Sequence, residues 1–143
     1  MQEMNEEQLM LRRSMRRVLL LSLIYALAAN ALMYAAYFAR GIVKWNLPIG
    51  IVLVAAYAVP IVLWFRNRHW YFPAFIFLFW IPFSVLIGYG LSLLLPLEQS
   101  ADYSMDLLVV VYLIVNVIIT LLGLATGMLV NGILALRSRS QAR

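Results

Sequence analysis

The run LLVVVYLIVNVIITLLGLATGMLVNGILAL, from Leu107 to Leu136, contains no Asp, Glu, Lys, Arg or His. A helix rises ~1.5 Å per residue, so about 30 Å of hydrocarbon is crossed by roughly 20 apolar residues. This stretch alone is long enough. It is also too continuously apolar for a membrane barrel strand, which needs ~10-residue segments of alternating polarity. A helix satisfies its own backbone hydrogen bonds, as the bilayer interior requires.

Three more uncharged runs precede it: Val18–Ala39, Leu47–Phe65 and Trp70–Leu95. The totals agree. Of the 143 residues, 65% are hydrophobic and 12% charged, where a soluble domain has about 45–50% apolar and about 25% charged residues. Cys is absent, which excludes a disulfide-built secreted module, thiolate metal sites and thiol chemistry. Outside the four runs the longest segment is residues 1–17, too short for a domain with its own core. The sequence therefore predicts an all-α polytopic membrane protein: a four-transmembrane-helix bundle forming a single membrane domain over residues 1–143.

The formal net charge is +5, and the cations sit at the ends of the runs. That placement points to membrane topology and away from nucleic acid. Arg12, Arg13, Arg16 and Arg17 precede the first span, Arg66 and Arg68 follow the second, and Arg137, Arg139 and Arg143 follow the fourth. Only Arg40 and Lys44 fall on the other side, and residues 96–106 there hold Glu98, Asp102 and Asp106 with no base. The positive-inside rule predicts both termini in the cytoplasm of a cell-membrane protein. Arg16-Arg17 and Ala29-Asn30-Ala31 imitate a signal peptide and its cleavage site, but the apolar run continues to Ala39. It exceeds a typical signal core, so the first span is expected to be retained.

Residues 1–17 begin acidic and end basic, an order that suits a helix. Met4, Leu11, Met15 and Val18 recur at helical spacing, which predicts an amphipathic cytoplasmic segment leading into the first span. Arg12, Arg13, Arg16 and Arg17 are expected to contact anionic lipid head groups, at about 1 kcal/mol each. Short connections at Arg40–Asn46 and Arg66–His69 predict antiparallel neighbours lying side by side. Trp45, Trp64, Trp70 and Tyr71 fall where an aromatic belt belongs. Pro48 suits a first helical turn. Pro60 and Pro82 lie deeper and predict kinks.

The absence of ionisable residues within the spans argues against a proton-coupled pump. In length and span count the chain is similar to the small multidrug resistance transporters. It lacks their signature glutamate in the first helix, where Ser22 and Asn30 stand instead.

The uncharged polar and small residues are aligned. Asn116, Thr120, Gly123, Gly127 and Asn131 follow helical steps along one face of the fourth span. Gly123 and Gly127 form a GxxxG pair, which lets backbones approach. Ser84, Gly88 and Ser92 repeat every four residues in the third span, and Ser22, Ala26, Ala29 and Asn30 form a stripe in the first. Helix packing is the first expectation for these seams, and a pocket for an uncharged or amphipathic ligand is the second.

Glu98, Asp102 and Asp106 are too few for a calcium loop. Ser104 is expected to cap the fourth helix, with Asp106 in its first turn. His69 stands alone in a turn without a second metal ligand. No nucleophile–base–acid set or phosphate loop is present, so no catalytic residue, metal or cofactor is expected. The predicted function is that of a non-catalytic accessory or structural subunit, acting through helix contacts with other membrane subunits or with itself. The alternative is a small transporter, channel or lipid-handling protein.

Overall fold

A computed structural model describes residues 2–66, 71–97 and 103–143. Helix α1 runs Gln2–Phe38, a short 3-10 helix follows at Arg40–Trp45, and α2 runs Asn46–Phe65. Then come α3, Ala74–Leu94, and α4, Tyr103–Gln141. All four α-helices are long and apolar enough to cross a membrane. α2 and α3 have 20 and 21 residues, which makes each about 30 Å long and matches a bilayer core. α1 and α4 have 37 and 39.

Side-chain contacts fix where that extra length goes. Arg17 reaches the Trp64 carbonyl, and Tyr25 stacks on Tyr57, so α1 and α2 are antiparallel. Residues 2–16 therefore run past the end of α2. Tyr112 donates to Asn46 Oδ1 at the start of α2, and Asn131 donates to the Ile61 carbonyl near its end. α4 is thus parallel to α2, and residues 132–141 carry it on towards the same end as the start of α1.

The N-terminal segment expected to lead into the first span is continuous with it. Glu, Gln, Met, Leu and Arg all favour helix, so nothing stops α1 at the charge boundary. The apolar stripe is covered only from Ser14 onward: Leu11 is 54% exposed, whereas Val18 is fully buried. At the other junction, α4 already begins at Tyr103. Ser104 lies inside that helix and not ahead of it, which corrects the expected cap.

The closest backbone pairings are α1 with α3 and α2 with α4. Sequential neighbours α1 and α2 approach less, and among the described residues α2 and α3 do not come together. Short connections set helix direction here but not adjacency. Adjacency follows side-chain size, because backbones close up only where small residues allow it. Gly123 and Gly127 of α4 face α2, and Gly88 of α3 faces Asn30 of α1. Between α1 and α2 stand the rings of Tyr25 and Tyr57, stacked with centroids 4.1 Å apart.

α1 is the most enclosed helix, burying Val18, Leu21, Tyr25, Ala26 and Ala29 in one core with Ile61, Ile76, Trp80 and Leu124. α2 and α3 turn broad apolar faces outward, among them Val52, Leu63, Leu78 and Leu86. Pro60 and Pro82 sit inside α2 and α3, and the helix continues through both. Each proline removes the donor for the carbonyl four residues back. One residue beyond the carbonyl affected by Pro60, the Tyr57 carbonyl accepts the Tyr25 hydroxyl at 2.5 Å.

Candidate functional site

The polar stripe of α4 meets two different helices. At its upper end Asn116 is buried, and its Nδ2 donates to the Ala29 carbonyl of α1 at 3.0 Å. Thr120, fully buried, donates back to the Asn116 carbonyl at 2.8 Å. Below it the stripe turns to α2. A Cβ on Gly123 would stand 2.7 Å from Tyr57 Cβ, and one on Gly127 would stand 2.8 Å from Ile61 Cβ. Asn131 Nδ2 donates to the Ile61 carbonyl at 3.1 Å, while its buried Oδ1 has no partner among the described residues.

A second group of the aligned residues lines a cleft between α3 and α4, with α1 as its floor. Its volume is about 260 Å³. Asn30, Ser84, Gly88, Ser92 and Asn116 line it, together with Tyr34 and Trp80. Val85, Tyr89 and Leu113 also border it and are more than half exposed, so it opens sideways between the helices. None of the lining residues carries a charge.

The cleft is held in shape by bonds to main chain. Asn30 Nδ2 donates to the Ala26 carbonyl at 2.9 Å and the Ser84 carbonyl at 3.2 Å, tying α1 to α3. Gly88 leaves room for that amide: a Cβ there would lie 3.1 Å from Asn30 Oδ1. One register further along, Ser22 Oγ lies within donating distance of both the Val18 and the Ile76 carbonyls, at 2.7 and 3.1 Å. Ser92, exposed, donates to the Tyr89 carbonyl at 2.7 Å. Two polar groups are left over. Trp80 is 6% exposed and stacks on Phe77, yet among the described residues its Nε1 has no partner, and neither has the buried Ser84 Oγ. Chemically, the lining can exclude water and offer hydrogen bonds. Among its lining residues it offers serine and tyrosine hydroxyls, side-chain amides and an indole.

The four arginines of α1 separate as well. Arg12, Arg13 and Arg16 are exposed. Arg17 is half-buried, donates to the Trp64 carbonyl at 3.1 Å and lies 5.8 Å from the indole centroid. Trp64 is in the last turn of α2, whose final carbonyls lack helical donors, and a cation is favoured there. Asp106 is exposed in the first turn of α4. His69, Glu98 and Asp102 lie outside the described residues.

The sequence pattern puts Trp80 on much the same face as Ser84, Gly88 and Ser92, but it missed Tyr34 and the tyrosines 25, 57 and 112. The available signal was a tyrosine deep in an apolar run, since its hydroxyl must find a partner there. No family model matches the chain, and neither a curated protein nor a solved structure matches it.

Proposed function

We propose that the chain is a multi-pass protein of the cell membrane, with both termini in the cytoplasm, serving as a non-catalytic accessory subunit through helix contacts. The orientation is supported by the cations, which gather where α1 begins and α4 ends. Arg12, Arg13 and Arg16 then face anionic lipid head groups or a cytoplasmic partner, while Arg17 is engaged with α2. The observation that carries the subunit reading is the division of surfaces. The buried amides and hydroxyls tie helices of this chain to one another. The outer faces of α2 and α3 stay apolar, with Leu63 70% and Leu86 65% exposed.

Photo-crosslinking residues placed at Leu63 and Leu86 test it in native membranes. One discrete protein adduct of constant mass supports a subunit role. Lipid adducts alone at both positions contradict it.

The cleft favours a second reading, a lipid-handling protein for an uncharged amphipathic molecule. Packing alone would close such a space, whereas this one keeps a lateral opening lined by uncharged residues.

A further inference from the structure

We propose that the cleft between α3 and α4 seats one acyl chain of a bilayer lipid, gripped along its length without regard to the head group. The proposal rests on the lipid-handling reading of the same cleft and names the part of the lipid that is bound. Three features select a hydrocarbon chain.

The first is the lining. Its amides and hydroxyls are turned to main chain: Asn30 Nδ2, Asn116 Nδ2 and Ser92 Oγ donate to carbonyls of the protein itself. Trp80 Nε1 and Ser84 Oγ are buried and shut off from the cleft. What faces a guest is chiefly the apolar surface of Met33, Val85, Leu97, Val109 and Leu113. A charged guest would lose its hydration there without a counter-charge, whereas a hydrocarbon chain has no such hydration to lose.

The second is shape. On α3 the lining residues Trp80, Ser84, Gly88 and Ser92 follow one another every four residues, so the cleft runs along that helix for about 18 Å. On α4 it runs from Asn116 to Val109, about 10 Å. A compact apolar cavity of about 150 Å³ already holds a benzene ring. A volume of about 260 Å³ drawn out along two helices is therefore narrow, and it suits an extended chain better than a ring system.

The third is depth. Ser84 lies at the middle of α3, and Ser92 lies two residues before its end at Leu94. The cleft thus reaches from one end of the span to just past its middle, which is the hydrocarbon depth of one leaflet, about 15 Å. Its side opens beside Val85, Tyr89 and Leu113, all more than half exposed, where the chains of that leaflet stand.

The other groove of the bundle shows what filling from within looks like. The backbones of α1 and α2 stay apart much as those of α3 and α4 do, but the stacked rings of Tyr25 and Tyr57 fill the gap. Between α3 and α4, Ser84 and Gly88 are too small to do the same.

The test uses the full chain in detergent and native mass spectrometry, with four probes added at equal ratio. These are dioleoylphosphatidylethanolamine, dioleoylphosphatidylglycerol, dioleoylglycerol and dihexanoylphosphatidylethanolamine. The expected result is one retained molecule per chain, to the same extent for the three dioleoyl lipids, and none for the dihexanoyl lipid. Gly88→Leu, which fills the cleft, should lose the lipid. Ser92→Phe should lose it too, at an exposed position away from the Asn30 amide. Leu93→Phe, exposed and outside the cleft, should retain it. Retention of dioleoylglycerol alone, or of one phospholipid alone, overturns the proposal but keeps the lipid-handling reading. Retention of none overturns both. Equal retention of the dihexanoyl lipid, or retention indifferent to both Gly88→Leu and Ser92→Phe, overturns the seating of a chain in this cleft.

Discussion

Gly127 of α4 lies so close to Ile61 of α2 that a Cβ on the glycine would stand 2.8 Å from the isoleucine Cβ and 3.2 Å from the Ala58 carbonyl. Neither neighbour is the free end of a flexible chain, so even a methyl group must push the helices apart. Overpacking of this kind costs about 1–3 kcal/mol. Gly127→Ala should lower the melting temperature in detergent. Gly132→Ala, on the same helix with open space around it, should be neutral or raise stability by up to about 1 kcal/mol, since alanine is the better helix former. Equal melting temperatures for the two variants would remove the seam.

The tyrosine pair predicts an asymmetry. The Tyr25 hydroxyl donates to the Tyr57 carbonyl at 2.5 Å, while the Tyr57 hydroxyl sits 3.4 Å from the Tyr25 carbonyl. Phenylalanine keeps the ring stack in either position. Tyr25→Phe should cost about 1 kcal/mol, within the range of polar contacts between membrane helices, and Tyr57→Phe less than half of that. Denaturant titration of both variants checks the order.

Asn131 makes one bond and leaves one buried oxygen unpaired. Asn131→Leu keeps the number and branching of the side-chain heavy atoms and removes both at once. Loss of the bond and relief of the orphan oxygen oppose each other, so the net cost should stay below about 1 kcal/mol. A loss of several kcal/mol in the same titration would mean that Oδ1 has a partner in solution.

Arg17 and its neighbours should separate by readout. Arg17→Gln removes the cation at the end of α2 and should cost about 0.5–1.5 kcal/mol. Replacing the exposed Arg12, Arg13 and Arg16 with Gln should leave the melting temperature unchanged and reduce enrichment of anionic lipid around the reconstituted protein. The opposite pairing of effects would reverse these roles.

Much of the fold is legible in the residues, and what is lost has identifiable causes. Leu47–Phe65 became α2 with one residue added, and Leu107–Leu136 lies wholly within α4. Uncharged length is a strong signal because the bilayer dictates it. The helix ends carry no such signal: charged helix formers extend α1 to Gln2 and α4 to Gln141 without a change of conformation. A helical wheel puts Asn116 and Gly123 on one face, but α4 crosses two neighbours. The upper residue therefore meets α1 and the lower one meets α2. The stripes of Asn30, Ser84, Gly88, Ser92 and Asn116 allow a pocket, but which helices meet there is not legible, because the key bonds end on carbonyls of other helices, those of Ala29 and Ser84, which no side-chain pattern announces.

A four-span bundle with both termini in the cytoplasm exposes single cysteines to the two sides of the membrane in a fixed pattern, which thiol labelling reads. The chain has no cysteine of its own, so each introduced thiol reports alone. Val43 is 40% exposed in the 3-10 helix, and Ser138 lies in the projecting end of α4. In intact cells a membrane-impermeant thiol reagent should label Val43→Cys and spare Ser138→Cys until the membrane is opened. Labelling of Ser138→Cys in intact cells, with or without Val43→Cys, would contradict the account.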